Sequence, residues 1–195
     1  MNLDVVFSGV GGQGVVVLSD IYCEAAMLDG FDVAKAEIHG MAQRGGSIVA
    51  YARIGAKVES PLIETGKADA IVGFEILETA RALPMLKQHG TVIVNKKYIP
   101  PNCMVAGAKP KKVEDLMALV RAKALVHEVD GIGIAQKLGN LLVVNTILLG
   151  ALSALPEIPV KTVSFEQAIA GKIKEKYVNL NLKAFQLGRE SVLMS

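Results

Sequence analysis

The stretch LDVVFSGVGGQGVVVLSDIYCEAAML, residues 3–28, decides the fold. Residues 3–8 are a short, nearly continuous apolar run, the pattern of a strand buried on both faces. Gly9, Gly11, Gly12 and Gly14 follow, with Gln13 among them, and residues 15–28 read as a helix with a mostly apolar face. A strand, a GxGxxG turn and a helix make the first βα unit of an open α/β fold. The glycines permit a tight turn and bring backbone N–H groups close to a phosphate at the helix N-terminus. Spacing alone leaves two readings open: a phosphate cradle, or glycines that let strand and helix pack closely. A dinucleotide site also wants an acid at the end of the second strand. Asp32 and Glu37 are the candidates, and neither is clearly placed.

Outward from this unit the chain alternates. Further strands are expected at residues 31–38, 47–54, 70–74, 91–94, 103–106 and 124–129, with helices from 75 through Gln88 and over 113–121. Strands spaced by helices predict a three-layer α/β/α, Rossmann-like fold with a mostly parallel sheet. The third strand alternates, with Tyr51 and Arg53 on one side, and hints at a mixed sheet. From residue 130 the pattern turns helical. Residues 141–155 are apolar all round and predict a buried helix. Ser164 and Gln167 have the spacing of a capping box, and a last helix is expected over 175–193. We expect a single domain over 1–195, with a sheet portion at 1–129 and a helical portion at 130–195.

Composition excludes several classes. Hydrophobic residues make up 51% of the 195, yet only 5% are aromatic and there is no Trp. This aliphatic surplus rules out disorder and asks for a buried parallel sheet, a large subunit interface, or both. The net charge is +2 and no block of five like charges occurs, so neither nucleic acid nor an anionic membrane is an expected partner. The longest apolar stretch falls short of the roughly 20 residues that span a bilayer. The N-terminal residues enter strand-like sequence directly, without a basic leader, and we expect a cytoplasmic protein. Two cysteines, Cys23 and Cys103, are too few for a cubane cluster held by four thiolates. His39, His89 and His127 are scattered without metal-ligand spacing, so no metal site is expected.

The second motif is EIHGMAQRGGS, residues 37–47, a polar loop flanked by glycines between two strands. Arg44 before two glycines can present its donor fork to a carboxylate or a phosphate. The alternative is a well-capped connection carrying one surface ion pair.

GVGGQG in the first turn, followed by EIHGMAQRGGSIVAYARIG, resembles the gamma domain of the 2-oxoacid:ferredoxin oxidoreductases, and within that family its indolepyruvate branch. VIVN at 92–95, LGN at 138–140, Asn145, LGA at 149–151, Asn181, Ala184, Phe185 and Gly188 extend the match over nearly the whole chain. The resemblance implies a subunit of a CoA-acylating enzyme that oxidatively decarboxylates 2-oxoacids, here aryl pyruvates, and reduces ferredoxin. It also implies thiamine diphosphate and 4Fe-4S clusters in a larger alpha subunit. This chain would then be the accessory beta subunit, inactive alone, with a homodimer or aggregate expected in isolation. On this reading Gly9, Gly11, Gly12, Gln13 and Gly14 face a phosphate-bearing ligand, CoA, with Asn95 lining the same crevice. His39, Gln43 and Arg44 face the partner's thiamine cleft. Competing readings are the gamma subunit of a pyruvate, 2-oxoglutarate or 2-oxoisovalerate enzyme, an NAD(P)-dependent oxidoreductase, and a non-catalytic assembly module with a vestigial glycine loop.

Overall fold

The computed structural model describes residues 2–40, 45–100 and 111–194. Gln43, Arg44, Cys103 and the strand expected at 103–106 lie outside the described residues. The strands are β1 (Leu3–Val10), β2 (Asp32–His39), β3 (Ser47–Gly55), β4 (Ala68–Gly73), β5 (Leu86–Asn95) and β6 (Leu125–Val129). They form one sheet in the order β2-β3-β1-β4-β5-β6. β1, β4, β5 and β6 are parallel, whereas β3 runs antiparallel to both β1 and β2. The sheet is therefore mixed, as the alternation in β3 hinted.

Successive residues of β1 explain the layers. Val5 and Phe7 point into one core and Val6 into another, and all three are fully buried. Side chains alternate across a strand, so both faces must be covered. One face carries helices α1 (Val15–Leu28), α5 (Val144–Ser153) and α6 (Thr162–Lys172). The long α7 (Glu175–Leu193) packs on α5. The other face carries α2 (Ile76–Ala82) and α3 (Val113–Arg121). The short α4 (Gly131–Lys137) follows β6. Few aromatics are present, and four of them form one ladder from sheet to outer helix. Phe7, Tyr22, Phe165 and Phe185 are spaced at ring centroids of 5.6, 6.3 and 5.7 Å in tilted arrangements, adding aromatic attraction to area burial.

Several expectations are corrected. The helix expected through Gln88 stops at Ala82. Glu75 starts it by accepting from the N–H groups of Leu77 and Glu78, and Pro84 stands in the one-turn 3-10 helix that ends it. Pro84 has no N–H with which to continue an α-helix. Strand β5 consequently begins at Leu86 rather than 91, and its pairing with β4 slips between Ala68 and Ala70. The helix expected over 141–155 opens with a 3-10 turn at Leu141–Val143, capped by the Asn140 side chain. Leu141 and Leu142 are exposed, and only α5 itself is buried along its whole length.

Ser164 is not an N-cap. Helix α6 starts two residues earlier, and its first turn is capped from the end of α1. Asp29 accepts from the Lys161 N–H at 2.6 Å and from the Ser164 hydroxyl at 2.7 Å. Burial pushes the Asp29 carboxyl up. The hydrogen bonds from Lys161 and Ser164 and the Lys161 ammonium outweigh it and hold the group below its ordinary value. A depressed carboxyl stabilises the fold above its unfolded pKa, and this contribution is lost as pH falls through the folded value. We expect Asp29→Ala to cost about 1–2 kcal/mol at neutral pH. In urea unfolding the gap to the parent protein should close as pH drops below about 4.

Candidate functional site

From β1 the chain crosses to β2 on one side of the sheet, and it later continues through β4, β5 and β6 on the other. The β1/β4 boundary is thus a topological switch point. In open α/β sheets the crevice beyond the carboxyl ends of such strands is where ligands bind. A cavity of about 560 Å³ lies there, lined by Gly12, Gln13, Gly14, Phe74, Asn95 and Asn145, among others. Its size suits a small-molecule ligand.

The glycine turn is built for this place. Gly12 and Gly14 have φ of 98° and 84°, the left-handed region that L side chains avoid. Gly14 is the N-cap of α1, and its carbonyl accepts from the Leu18 N–H at 3.0 Å. The Gln13 side chain staples the turn. Its Oε1 accepts from the Val10 N–H at 2.7 Å, and its Nε2 donates to the Phe74 carbonyl at 3.3 Å. Asn95 donates to the same carbonyl at 3.1 Å and accepts from the Gly131 N–H at 3.1 Å. One carbonyl at the end of β4 therefore ties the loops after β1 and β5 to α4. Gly9 is a close-packing position, since a Cβ there would stand 2.8 Å from Gln13, Phe74 and Val15. Gly11 donates its N–H to the Gly46 carbonyl at 2.9 Å, which pins the second glycine segment beside the first.

The electrostatics of the cavity come from elements remote in sequence. The N-termini of α1, α5 and α7 all reach it, through Gly14, Val144 and Lys174. Each helix N-terminus brings a partial positive charge. Lys97, Lys172 and Lys174 add three full charges, and no Asp or Glu is among the described lining residues. Lys172 makes a loose pair with Glu24 at 3.4 Å. Lys97 and Lys174 pair with no acid among the described residues. The remaining wall is mostly apolar, with Val17, Ile132, Leu141, Leu142, Ile173 and Tyr177 beside Asn140 and Asn181. An anion with an apolar body fits this combination.

Of the residues singled out in the sequence, Gly12, Gln13, Gly14 and Asn95 line the cavity, whereas Gly9, Gly11 and His39 do not. His39 is exposed at the end of edge strand β2, its Nε2 2.9 Å from Glu37. Glu37 also pairs with Lys35, whose hydrogen bond is the main reason its carboxyl sits below its ordinary value. Asp32 lies at the start of β2 and accepts from the Val58 N–H. The strand beside β1 on that side is β3, so neither acid stands where a dinucleotide ribose would be held. Asn145 and the three lysines were not picked out as site residues. Asn145 had entered only as one of the residues carrying the family resemblance and as a polar residue inside an apolar run, and the lysines had no signal.

Sheet order, switch-point cavity and stapled glycine turn define an open α/β module suited to an anionic ligand. The chain belongs to the pyruvate ferredoxin/flavodoxin oxidoreductase family, whose model matches residues 4–191. It is similar to the indolepyruvate oxidoreductase subunit IorB of Methanothermobacter thermautotrophicus, 37% identical over 190 residues that cover 96% of both chains. Among solved structures it is similar to the keto/oxoacid ferredoxin oxidoreductase gamma subunit from Geobacter sulfurreducens, with a TM-score of 0.77, 26% identity and 99% of each chain covered. It shares its fold with part of the 2-oxoglutarate:ferredoxin oxidoreductase from Magnetococcus marinus, a structure with 2-oxoglutarate, coenzyme A and succinyl-CoA bound. There the TM-score is 0.75 at 16% identity, covering all of this chain and 31% of that one.

Proposed function

We propose that this chain is the beta subunit of an indolepyruvate ferredoxin oxidoreductase, a single gamma-type unit working in the cytoplasm with a larger alpha subunit. The alpha subunit carries the thiamine diphosphate and the 4Fe-4S clusters and passes electrons to ferredoxin. This chain contributes the CoA side of the reaction. The observation that carries the reading is the cavity, where three helix N-termini and three lysines converge without an acid. The residues present fit CoA. The lysines and helix N-termini suit its phosphates, and the apolar wall suits its pantetheine arm. CoA supplies the thiol that accepts the acyl group. The chain's own residues bind and orient the anion, while Gln13 and Asn95 hold the loops in place. Gln43 and Arg44, on the connection between β2 and β3, and His39 at its start face the alpha subunit, with Arg44 holding a carboxylate or phosphate.

The test is the purified two-subunit complex, assayed for CoA-dependent ferredoxin reduction. Indolepyruvate and phenylpyruvate should be used with kcat/KM at least tenfold above pyruvate and 2-oxoglutarate, and neither subunit alone should turn over. A preference for pyruvate would move the chain to another branch. Binding to the alpha subunit with turnover left intact by glycine-loop substitutions would leave it an assembly module. Arg44→Ala in the same complex should lower kcat/KM for the 2-oxoacid or for CoA, and unchanged values for both would remove its role.

A further inference from the structure

Asn145, in the first turn of α5, is only 8% exposed. Its side chain nevertheless lines the cavity. The orientation of its amide is fixed from behind. Oδ1 accepts from the Thr146 N–H at 2.8 Å. A backbone N–H can only donate, so the oxygen must face Thr146 and the NH2 group must face away. Thr146 is held in turn, its hydroxyl donating to Asn181 Oδ1 at 2.6 Å. Asn145 Nδ2 therefore points at the glycine turn, 2.9 Å from where a Cβ on Gly14 would stand. It donates to nothing among the described residues. The nitrogen is left open to the cavity, and sites that recognise a ligand leave such polar groups open for it.

We infer that Asn145 is a ligand-binding residue: its amide donates to a phosphoryl oxygen held between the N-termini of α1 and α5, over Gly14. The ligand class is a phosphate ester or diphosphate rather than a carboxylate, because the same cavity supplies three lysines, more positive charge than one carboxylate needs. Gly14 is glycine partly because any side chain there would displace the Asn145 amide. This rests on the anion-site part of the reading above and adds the residue that selects the anion.

The experiment is calorimetric titration of the full chain with CoA and with inorganic diphosphate, for the parent protein, Asn145→Asp and Asn145→Ser. Aspartate keeps the acceptor for Thr146 and replaces the donor by a negative charge. Thermal unfolding checks that each variant folds, and serine serves where aspartate does not. The expected result is at least a tenfold loss of affinity for both probes. Diphosphate binding lost in the variants, with no CoA binding by the parent, upholds Asn145 and overturns CoA. CoA binding that is unchanged in the variants upholds CoA and overturns Asn145. Binding of neither probe by the parent overturns both.

Discussion

Replacing Gly188 by alanine is expected to lower the melting temperature by roughly 6–12 °C, for a loss of about 3 kcal/mol in a chain of this size. Gly150 in α5 and Gly188 in α7 let two helix backbones touch. A Cβ on Gly188 would stand 1.9 Å from the Ile147 carbonyl oxygen, and one on Gly150 would stand 2.0 Å from that of Phe185. The obstructing atoms are backbone, so no rotamer relieves the clash and the helices must separate. Separation would open the fully buried cluster around Ile147, Leu149, Ala184 and Phe185. It would also pull Asn181 from Thr146, the contact that backs Asn145. The variant should thus lose anion binding along with stability. Gly171→Ala is the control. It lies inside α6 with nothing within 4 Å of the added carbon, so the change should be neutral or stabilising by up to about 1 kcal/mol. Equal melting temperatures for Gly188→Ala and the parent would mean that the crossing is looser than these distances.

The parts of the fold that were legible in the sequence are those set by local chemistry. β1, the glycine turn and α1 are adjacent, and each rule governing them acts over a few residues. The same holds for α7, whose range of Glu175–Leu193 matches the expectation. Errors fell where a distant partner decides. Ser164 has a capping-box neighbour at Gln167, but Asp29, 135 positions away, holds its hydroxyl. The apolar run at 141–155 gave no sign that Leu141 and Leu142 stay exposed at the cavity mouth. The site shows the same division. The glycines offered a phosphate cradle as one of two readings, but the cations that would serve it come from after β5 and from the junction of α6 and α7. Lys97, Lys172 and Lys174 share no motif, and only the closing of the α/β layers brings them together. The aliphatic surplus is largely explained by two buried cores rather than one. Exposed Val17, Leu141, Leu142 and Tyr177 remain around the cavity, where a docked subunit or the apolar part of a ligand would cover them.

The second large effect concerns that charge. Reversing Lys172 and Lys174 together to glutamate is expected to raise the KM for CoA in the complex by roughly 30- to 150-fold, equivalent to about 2–3 kcal/mol. A unit charge about 6 Å from a phosphate at an effective dielectric of 20–40 contributes about 1.4–2.8 kcal/mol before salt screening. Reversal removes an attraction and adds a repulsion, so even heavily screened lysines should give this much between them. The effect belongs to ground-state binding. The kcat at saturating CoA and the KM for the 2-oxoacid should therefore move little. Lysine-to-glutamine at the same positions should give about half the effect in free energy, and added salt should shrink the gap to the parent. Lys176 provides the contrast. It is two residues from Lys174, but its ammonium lies over the Tyr177 ring at 4.7 Å, and it does not line the cavity. Its reversal should change the KM for CoA by no more than a few-fold. Lys172→Glu also faces Glu24 across a contact of 3.4 Å, so a small loss of stability is expected, and melting curves separate it from the loss of binding. An unchanged KM for CoA in the double reversal, with the protein folded and the complex assembled, would take the phosphates out of this cavity.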